Sequence, residues 1–351
     1  MVLDNKKIEA FSTQVVLDLS AGMSGVLVQI GLELGLYKAM AKLGATNAKE
    51  LSGYTGTFTR YIQEWLNNQA AGGYLLYDSN EKTYTLPQEH ALILADENSP
   101  FYMTPGFNVI SSMWMDKDLI VKDFKEGKGI GWHQHHHSLF FGTEAFFRAG
   151  YRANLVNQWI PSLSGVKEVL EKGGKAADIG CGHGASTLLM AEHFPKSVFF
   201  GFDYHEQSIK TAKERALTTK LKNTAFEVFN AENYTEGDFD LICFFDSFHD
   251  LGNPLQALKH AKSKLSENGF IMLAEPASFD ETEKNFNPVG RMFYAASTTL
   301  CVPNSNSQKG ACCMGAQAGP AKVKDLAFKA GFSRVKVVQQ TPVNLIFEIR
   351  K

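Results

Sequence analysis

Residues 177–187 read ADIGCGHGAST. Three glycines, Gly180, Gly182 and Gly184, stand at alternate positions after a short apolar run, and Asp178 precedes the first by two residues. Glycines in that pattern let a ligand approach bare backbone at a strand end, beside the next helix N-terminus. The stretch also satisfies the loose dinucleotide pattern G-x-G-x-x-A through Gly180, Gly182 and Ala185. Asp178 separates the two kinds of ligand. A carboxylate repels a pyrophosphate and attracts a cationic group.

From residue 174 onward, strand and helix patterns alternate. The expected strands are 175–180, 198–203, 225–229, 239–245, 270–275, 334–339 and 344–350. Helical segments separate the first five, which argues a parallel sheet with helices on both faces. Only residues 340–343 lie between the last two. Parallel neighbours need a longer crossover, so that pair is expected as an antiparallel hairpin. The fold class is therefore α/β: a Rossmann-like sheet of seven strands with an antiparallel last strand.

The front of the chain is patterned differently. Residues 8–43 carry apolar stretches at helical spacing. Thr46 is placed to cap a helix through residue 51, and Thr57 a second through residue 70. YLLYD, a turn at residues 79–80 and KTYTL read as a β-hairpin. Helix, turn, helix and hairpin make a winged helix, and DNA binding has to be weighed. Residues 46–95 hold three Lys/Arg against five Asp/Glu. A DNA reader needs a basic footprint for phosphate contacts, and this segment lacks one. The alternative is a dimerisation and substrate-capping module, with Tyr61, Trp65, Tyr74 and Tyr77 in a core or interface. The expected domains are 1–100 (winged helix), 101–163 (helical connector and pocket cap) and 164–351 (the α/β domain).

Of the 351 residues, 44% are hydrophobic and 21% charged, an ordinary globular composition, and the formal net charge is -2. That balance gives no electrostatic reason to expect nucleic acid or an anionic membrane as partner. The N-terminus shows no signal-peptide core. The apolar stretch 26–36 is interrupted by Gln29, Gly31, Glu33 and Gly35, so no membrane span is expected. Five cysteines without a C-x-x-C pair read as reduced thiols in a cytoplasmic protein.

S-adenosylmethionine combines an ammonium, a sulfonium, a ribose diol and an adenine, and the later strands offer matching groups. Asp203 ends VFFGFD, where an acid can accept both ribose hydroxyls. The turn at 230–233 can meet an adenine edge, and FFDSFHD follows the fourth strand on the ligand side of such sheets. On these motifs the region from about residue 174 resembles a class I S-adenosylmethionine-dependent methyltransferase. The whole chain resembles the subgroup with an N-terminal winged-helix domain, through the histidine-rich run at 132–137, FFRAGYRANLVNQWIPSL and NPVGRMFYAASTTLCVP. The resemblance implies cofactor contacts from Asp178, Gly180, Gly182, Gly184, Asp203, Tyr204, Asn230, Ala231, Glu232 and Asp246. Asn230 departs from the family, in which many members carry Asp. The segment ending LSENGFIMLAEP is likewise a diverged form of a usual Pro-Gly-Gly approach.

Methyl transfer needs alignment above all, because the donor carries its own leaving group. A hydroxyl acceptor also needs its proton removed. His249, in SFHDLGNP, is the candidate base; its ordinary pKa of about 6.5 suits the task. Its HD dipeptide resembles that of plant-type O-methyltransferases, whose His is the base. Asp250 is a candidate to hold the imidazole tautomer. His249 packing the cofactor is the competing reading. Cys181 reads as filler, and His183 as exposed or one step behind the ligand. His133, His135, His136 and His137 invite a metal, but no partner ligand is spaced obviously, so no metal is expected. They read as a lid, with His135 or His136 reaching the substrate. The long segment 280–320 reads as a second lid, with Arg291 and Tyr294 as candidate substrate contacts.

The sequence thus predicts an enzyme transferring methyl from S-adenosylmethionine to a small-molecule hydroxyl, or else a thiol, releasing S-adenosylhomocysteine. It predicts a cytoplasmic homodimer without nucleic-acid or membrane partners. The rivals are a winged-helix transcriptional regulator that senses the cofactor and an NAD-dependent oxidoreductase.

Overall fold

The computed structural model describes residues 3–351. They divide into two compact units. One holds the residues up to 112 with 138–149; the other holds 113–137 with 150–351.

The first unit opens with α1, Asn5–Glu33, whose N-terminus is capped by the Asp4 carboxylate. α2 (Leu36–Leu43), α3 (Ala48–Thr55) and α4 (Thr59–Ala71) follow, then the hairpin of β1 (Leu76–Asp78) and β2 (Thr83–Thr85). This is the expected winged-helix order, with two corrections at the caps. Thr46 does not cap α3, because its backbone N–H and C=O are both paired with Tyr84. Asn47 caps it instead, in a capping box with Glu50. α4 starts after Phe58, and the Thr57 hydroxyl bonds that of Thr55. Val28, Leu36, Met40, Leu51, Ile62, Trp65 and Leu66 form the core. The Trp65 indole donates to the Leu27 carbonyl, whereas Tyr61 and Tyr77 are exposed.

α1 also corrects a sequence expectation. By length and composition it could cross a membrane, with mean hydropathy 1.7 over its most apolar 18 residues, of which 11% are buried. The expectation rested on the stretch 26–36 with its Gln29, Gly31, Glu33 and Gly35, whereas the apolar run extends upstream of it, where residues 15–28 hold a single charge, Asp18.

The second unit is built on one seven-stranded sheet, ordered β5-β4-β3-β6-β7-β9-β8. Its strands are β3 (Lys175–Ile179), β4 (Val198–Asp203), β5 (Thr224–Val228), β6 (Phe239–Phe245), β7 (Leu265–Pro276), β8 (Arg334–Gln340) and β9 (Asn344–Arg350). β3 to β7 pair in parallel, and β9 runs antiparallel between β7 and β8. Buried on both faces, β6 is apolar almost throughout (Phe239, Leu241, Ile242, Phe244, Phe245), as an interior parallel strand must be. Chain order reverses between β3 and β6. The cleft above the carboxyl ends of those two strands is where ligands collect in such sheets.

Candidate active site

β3 ends at Ile179, and Gly180, Gly182 and Gly184 all turn with positive φ into the helix Ala185–His193. Gly182 decides the loop's use. At φ 51° it holds a conformation that L-residues avoid, and a methyl group there would meet nothing within 4 Å. The loop leaves an open space against bare backbone.

Four carboxylates stand at the ends of β3, β4, β6 and β7. Asp178 Oδ2 accepts the hydroxyls of Ser186 and Thr187, both at 2.6 Å, while its Oδ1 is buried with no hydrogen-bond partner. Burial pushes this carboxyl up to about 6, against the pull of the two hydroxyls. Asp203 accepts from the backbone N–H of Gly182 and of His205, each at 2.9 Å, so it braces the glycine loop as well as facing the cleft. Asp246 follows β6 in left-handed backbone, φ 50°. It accepts from the Tyr151 hydroxyl at 3.2 Å and from Asn344 at 2.7 Å. Burial, reinforced by Glu275, raises it to about 8.

His249 lies in the short turn Phe248–Asp250 and is buried. Its Nδ1 is 3.0 Å from Glu275 Oε2 on β7, and its Nε2 is 3.3 Å from Asp250 Oδ1. Asp250 had been assigned the tautomer. The structure places Glu275 at Nδ1 and turns Asp250 to the other ring nitrogen, Nε2. An ionised carboxylate only accepts, so Glu275 holds Nδ1–H and Asp250 favours a proton on Nε2, which makes Nε2 the nitrogen that gains and loses a proton. Burial lowers the imidazole pKa, but Glu275 and Asp250 overcome it, and the net shift is well upward. The Cys301 thiol faces the same centre. Asp250 is itself fixed by the Trp132 indole, which donates to Oδ2 at 3.1 Å, and by Asn304, which donates to its carbonyl.

The remaining candidates are spread more widely. His135 is buried, its Nδ1 2.9 Å from Asp116 Oδ2 and its Nε2 without a partner. Asp116 also accepts the His136 backbone N–H. The histidine run thus does have a carboxylate partner, 19 residues upstream of His135. His133 is exposed, and its ring meets that of Tyr204 at 6.5 Å. Arg291 is exposed and Tyr294 half-buried on the helix Pro288–Ala296. Asn230 Oδ1 accepts the Glu232 backbone N–H, and Asn233 accepts that of Asn230, forming the expected polar turn. Ala231 is buried there. Cys181 is buried filler packed against Gly201; His183 is buried rather than exposed. Sequence reading missed Glu275, Asp116, Tyr151, Asn344 and Cys301. Only Glu275 carried a signal, as an acid ending an apolar strand beside three others that do the same.

These residues fit S-adenosylmethionine. The cleft combines an orphaned carboxylate oxygen on Asp178, a loop at Gly182 that a Cβ would invade, and acids at neighbouring strand ends. A cation relieves that arrangement and a pyrophosphate aggravates it.

The profile of the methyltransferase domain family matches residues 170–331. These residues form a methyltransferase domain. Residues 22–96 match the Rv2258c-like winged HTH domain. Trans-aconitate 2-methyltransferase of Rhodopseudomonas palustris (strain BisB5) is 31% identical over 108 residues, 30% of this chain and 40% of that protein. Malonyl-[acyl-carrier protein] O-methyltransferase of Bacillus cereus is 28% identical over 138 residues, 35% and 50% of the two chains. The chain thus spans half or less of the length of these curated relatives. Solved structures match nearly end to end. Human N-acetylserotonin methyltransferase in complex with SAM superposes with TM-score 0.70 at 15% identity, over 97% of each chain. The O-methyltransferase NcsB1 from neocarzinostatin biosynthesis, with S-adenosylhomocysteine and 1,4-dihydroxy-2-naphthoic acid, gives 0.64 at 14%, over 96% of this chain and 98% of that one. Both likenesses are of fold.

Proposed function

We propose that this protein is an S-adenosylmethionine-dependent O-methyltransferase acting on a small molecule, with His249 as general base. The observation that carries the proposal is the buried His249–Glu275 pair, 3.0 Å apart, on the strand-end edge that also bears the glycine loop. The cofactor supplies an activated methyl on a good leaving group. The chain's own residues do the rest. Asp178 and the backbone at Gly180, Gly182 and Gly184 hold the amino-acid end; Asp203 and Tyr204 hold the ribose; the turn at Asn230, Ala231 and Glu232 holds the adenine. Asp246 closes the cleft. His249 Nε2 takes the acceptor's hydroxyl proton, and Glu275 stabilises the imidazolium that forms. His135, fixed by Asp116 with Nε2 unpartnered, is assigned to the acceptor together with His136, Arg291 and Tyr294.

The test is incubation with methyl-labelled S-adenosylmethionine and a panel of hydroxylated aromatics that includes 1,4-dihydroxy-2-naphthoic acid. A labelled methyl ether or ester is the expected product. Label on sulfur or nitrogen alone, or no transfer, sinks the assignment. His249→Ala is expected to cut turnover and to leave S-adenosylhomocysteine affinity nearly intact by calorimetry; equal loss of both would make it a binding residue.

The proposal includes a cytoplasmic homodimer. Ile8, Phe11, Val15, Leu19, Met23, Val26 and Ile30 recur every three or four residues along α1 and are exposed, an apolar stripe that a second copy would cover. A dimer by light scattering is expected, converting to monomer in Val15→Glu/Leu19→Glu. A wild-type monomer at micromolar concentration would reject the interface.

A further inference from the structure

We propose that His249, Asp250 and Cys301 form a site for a zinc-class divalent cation, and that filling it switches the enzyme off. The inhibitory part rests on His249 being the base; the site itself does not.

His249, Asp250 and Cys301 are all buried, and one ligand atom from each lies within 4.8 Å of the other two. Imidazole, carboxylate and thiolate are the donors zinc takes, with three protein ligands and one open position typical of accessible sites. Bond lengths of about 2.0–2.3 Å set the edges of a zinc tetrahedron at roughly 3.3–3.8 Å. His249 Nε2 and Asp250 Oδ1 are 3.3 Å apart, so one edge is already in place. Cys301 has to close by at most about 1.5 Å from the 4.8 Å outer limit of the cluster.

A second observation points to an occupant. Asp250 Oδ1 is buried with no hydrogen-bond partner, although it faces Nε2. Nδ1–H is donated to Glu275, and in the neutral ring Nε2 turns a lone pair to that oxygen. The two repel unless a proton or a cation stands between them. The outer shell is also built. Glu275 holds Nδ1 and the Trp132 indole holds Asp250 Oδ2, the kind of support that orients metal ligands. Cys301 closes a π-helical turn, Ser297–Cys301, a local widening common at functional positions.

Charge balances as well. Neutral imidazole, carboxylate and thiolate sum to −2, which the divalent ion neutralises; on binding, the Cys301 thiol and the protonated His249 ring each release a proton to solvent. The bound metal would use the same lone pair that accepts the substrate proton, so metal and catalysis exclude each other.

The test uses the chelator-treated full chain. Titration with cobalt(II) is expected to produce a near-ultraviolet thiolate-to-metal band that zinc abolishes by displacement. Zinc is expected to inhibit methyl transfer reversibly, with activity restored by chelator. Cys301→Ser should remove the band and weaken zinc at least tenfold, while Cys312→Ser keeps both. X-ray absorption of the wild-type zinc protein needs no variant and should show one sulfur among lighter ligands. No band, a band surviving Cys301→Ser, or a zinc shell without sulfur overturns the site. A Cys301-dependent band in a protein whose turnover ignores His249 would instead keep the site and sink the base.

Discussion

Replacing Glu275 by Gln tests the proposed base most directly. Gln keeps the shape and still accepts the Nδ1–H of His249 through its amide oxygen, so the ring stays oriented while the charge is removed. Both side chains are about 5% exposed and 3.0 Å apart. A hydrogen bond to a charged group in that setting contributes about 1.5–3 kcal/mol. At 1.36 kcal/mol per pKa unit, losing the charge from that bond lowers the imidazole by about 1–2 units. The wild-type imidazole stands well above its ordinary value, held there by Glu275 and Asp250 against burial, with Cys301 adding to the rise. Nearby Asp246 is coupled to both His249 and Glu275. A base acts only when neutral, so kcat/KM must rise with pH through that folded-state value. Glu275→Gln should move the acid limb of the profile down by about 1–2 units and lower the plateau, because a weaker base takes the proton less readily. Nitrogen-detected NMR titration of His249 reads the same shift without any substrate. An acid limb that stays in place, or moves upward, refutes the assignment of Glu275 and with it the proposed mechanism.

Three further outcomes are expected. Asp178 is raised from 3.8 to about 6, so its contribution to stability is complete below about pH 4 and is lost as pH rises through about 6, a change of roughly 3 kcal/mol in the ligand-free protein. Asp178→Asn should therefore melt higher than wild type at pH 8 while binding S-adenosylhomocysteine more weakly; unchanged melting would show that the buried charge is compensated. Gly182→Ala forces a left-handed conformation costing about 1–2 kcal/mol and puts a methyl into the open space of the loop. Circular dichroism should show an intact fold and calorimetry at least a tenfold loss of S-adenosylhomocysteine affinity, and equal affinity would place the ligand elsewhere. Asp203→Asn keeps acceptors for part of the loop bracing but loses the charge proposed to bind the ribose; about a tenfold weaker Kd is expected, equivalent to ~1.4 kcal/mol, and wild-type binding would remove the ribose role.

The sheet was legible because its signals are local. Continuous apolar runs such as 239–245 and glycines with an adjacent acid are written within a few residues of one another. The four-residue gap before Asn344 was enough to force the antiparallel hairpin. Helix starts were less legible, because Thr46 is a good cap by type but its backbone is claimed by Tyr84, 38 residues away. The reactive centre was half legible. His249 and Asp250 announce themselves as a dipeptide, whereas Glu275 and Cys301 reach the same spot from other elements. Asp116 was invisible for the same reason: its link to His135 depends on how a helical segment folds back, and no periodicity encodes that.

The placement of β9 has a consequence for how the protein comes into being. This strand follows every other part of the sheet in chain order, yet it is inserted between β7 and β8 rather than added at a margin. Asn344, its first residue, donates to Asp246 at 2.7 Å and also reaches the Glu275 carbonyl. A growing polypeptide can assemble the glycine loop and Asp203 early, but Asp246 lacks its Asn344 donor, and the β7 segment that carries Glu275 lacks its β9 neighbour, until the final hairpin closes. Competence for chemistry should then appear abruptly and late in synthesis, after the ability to hold a nucleoside, and nascent chains stopped before residue 344 would separate the two.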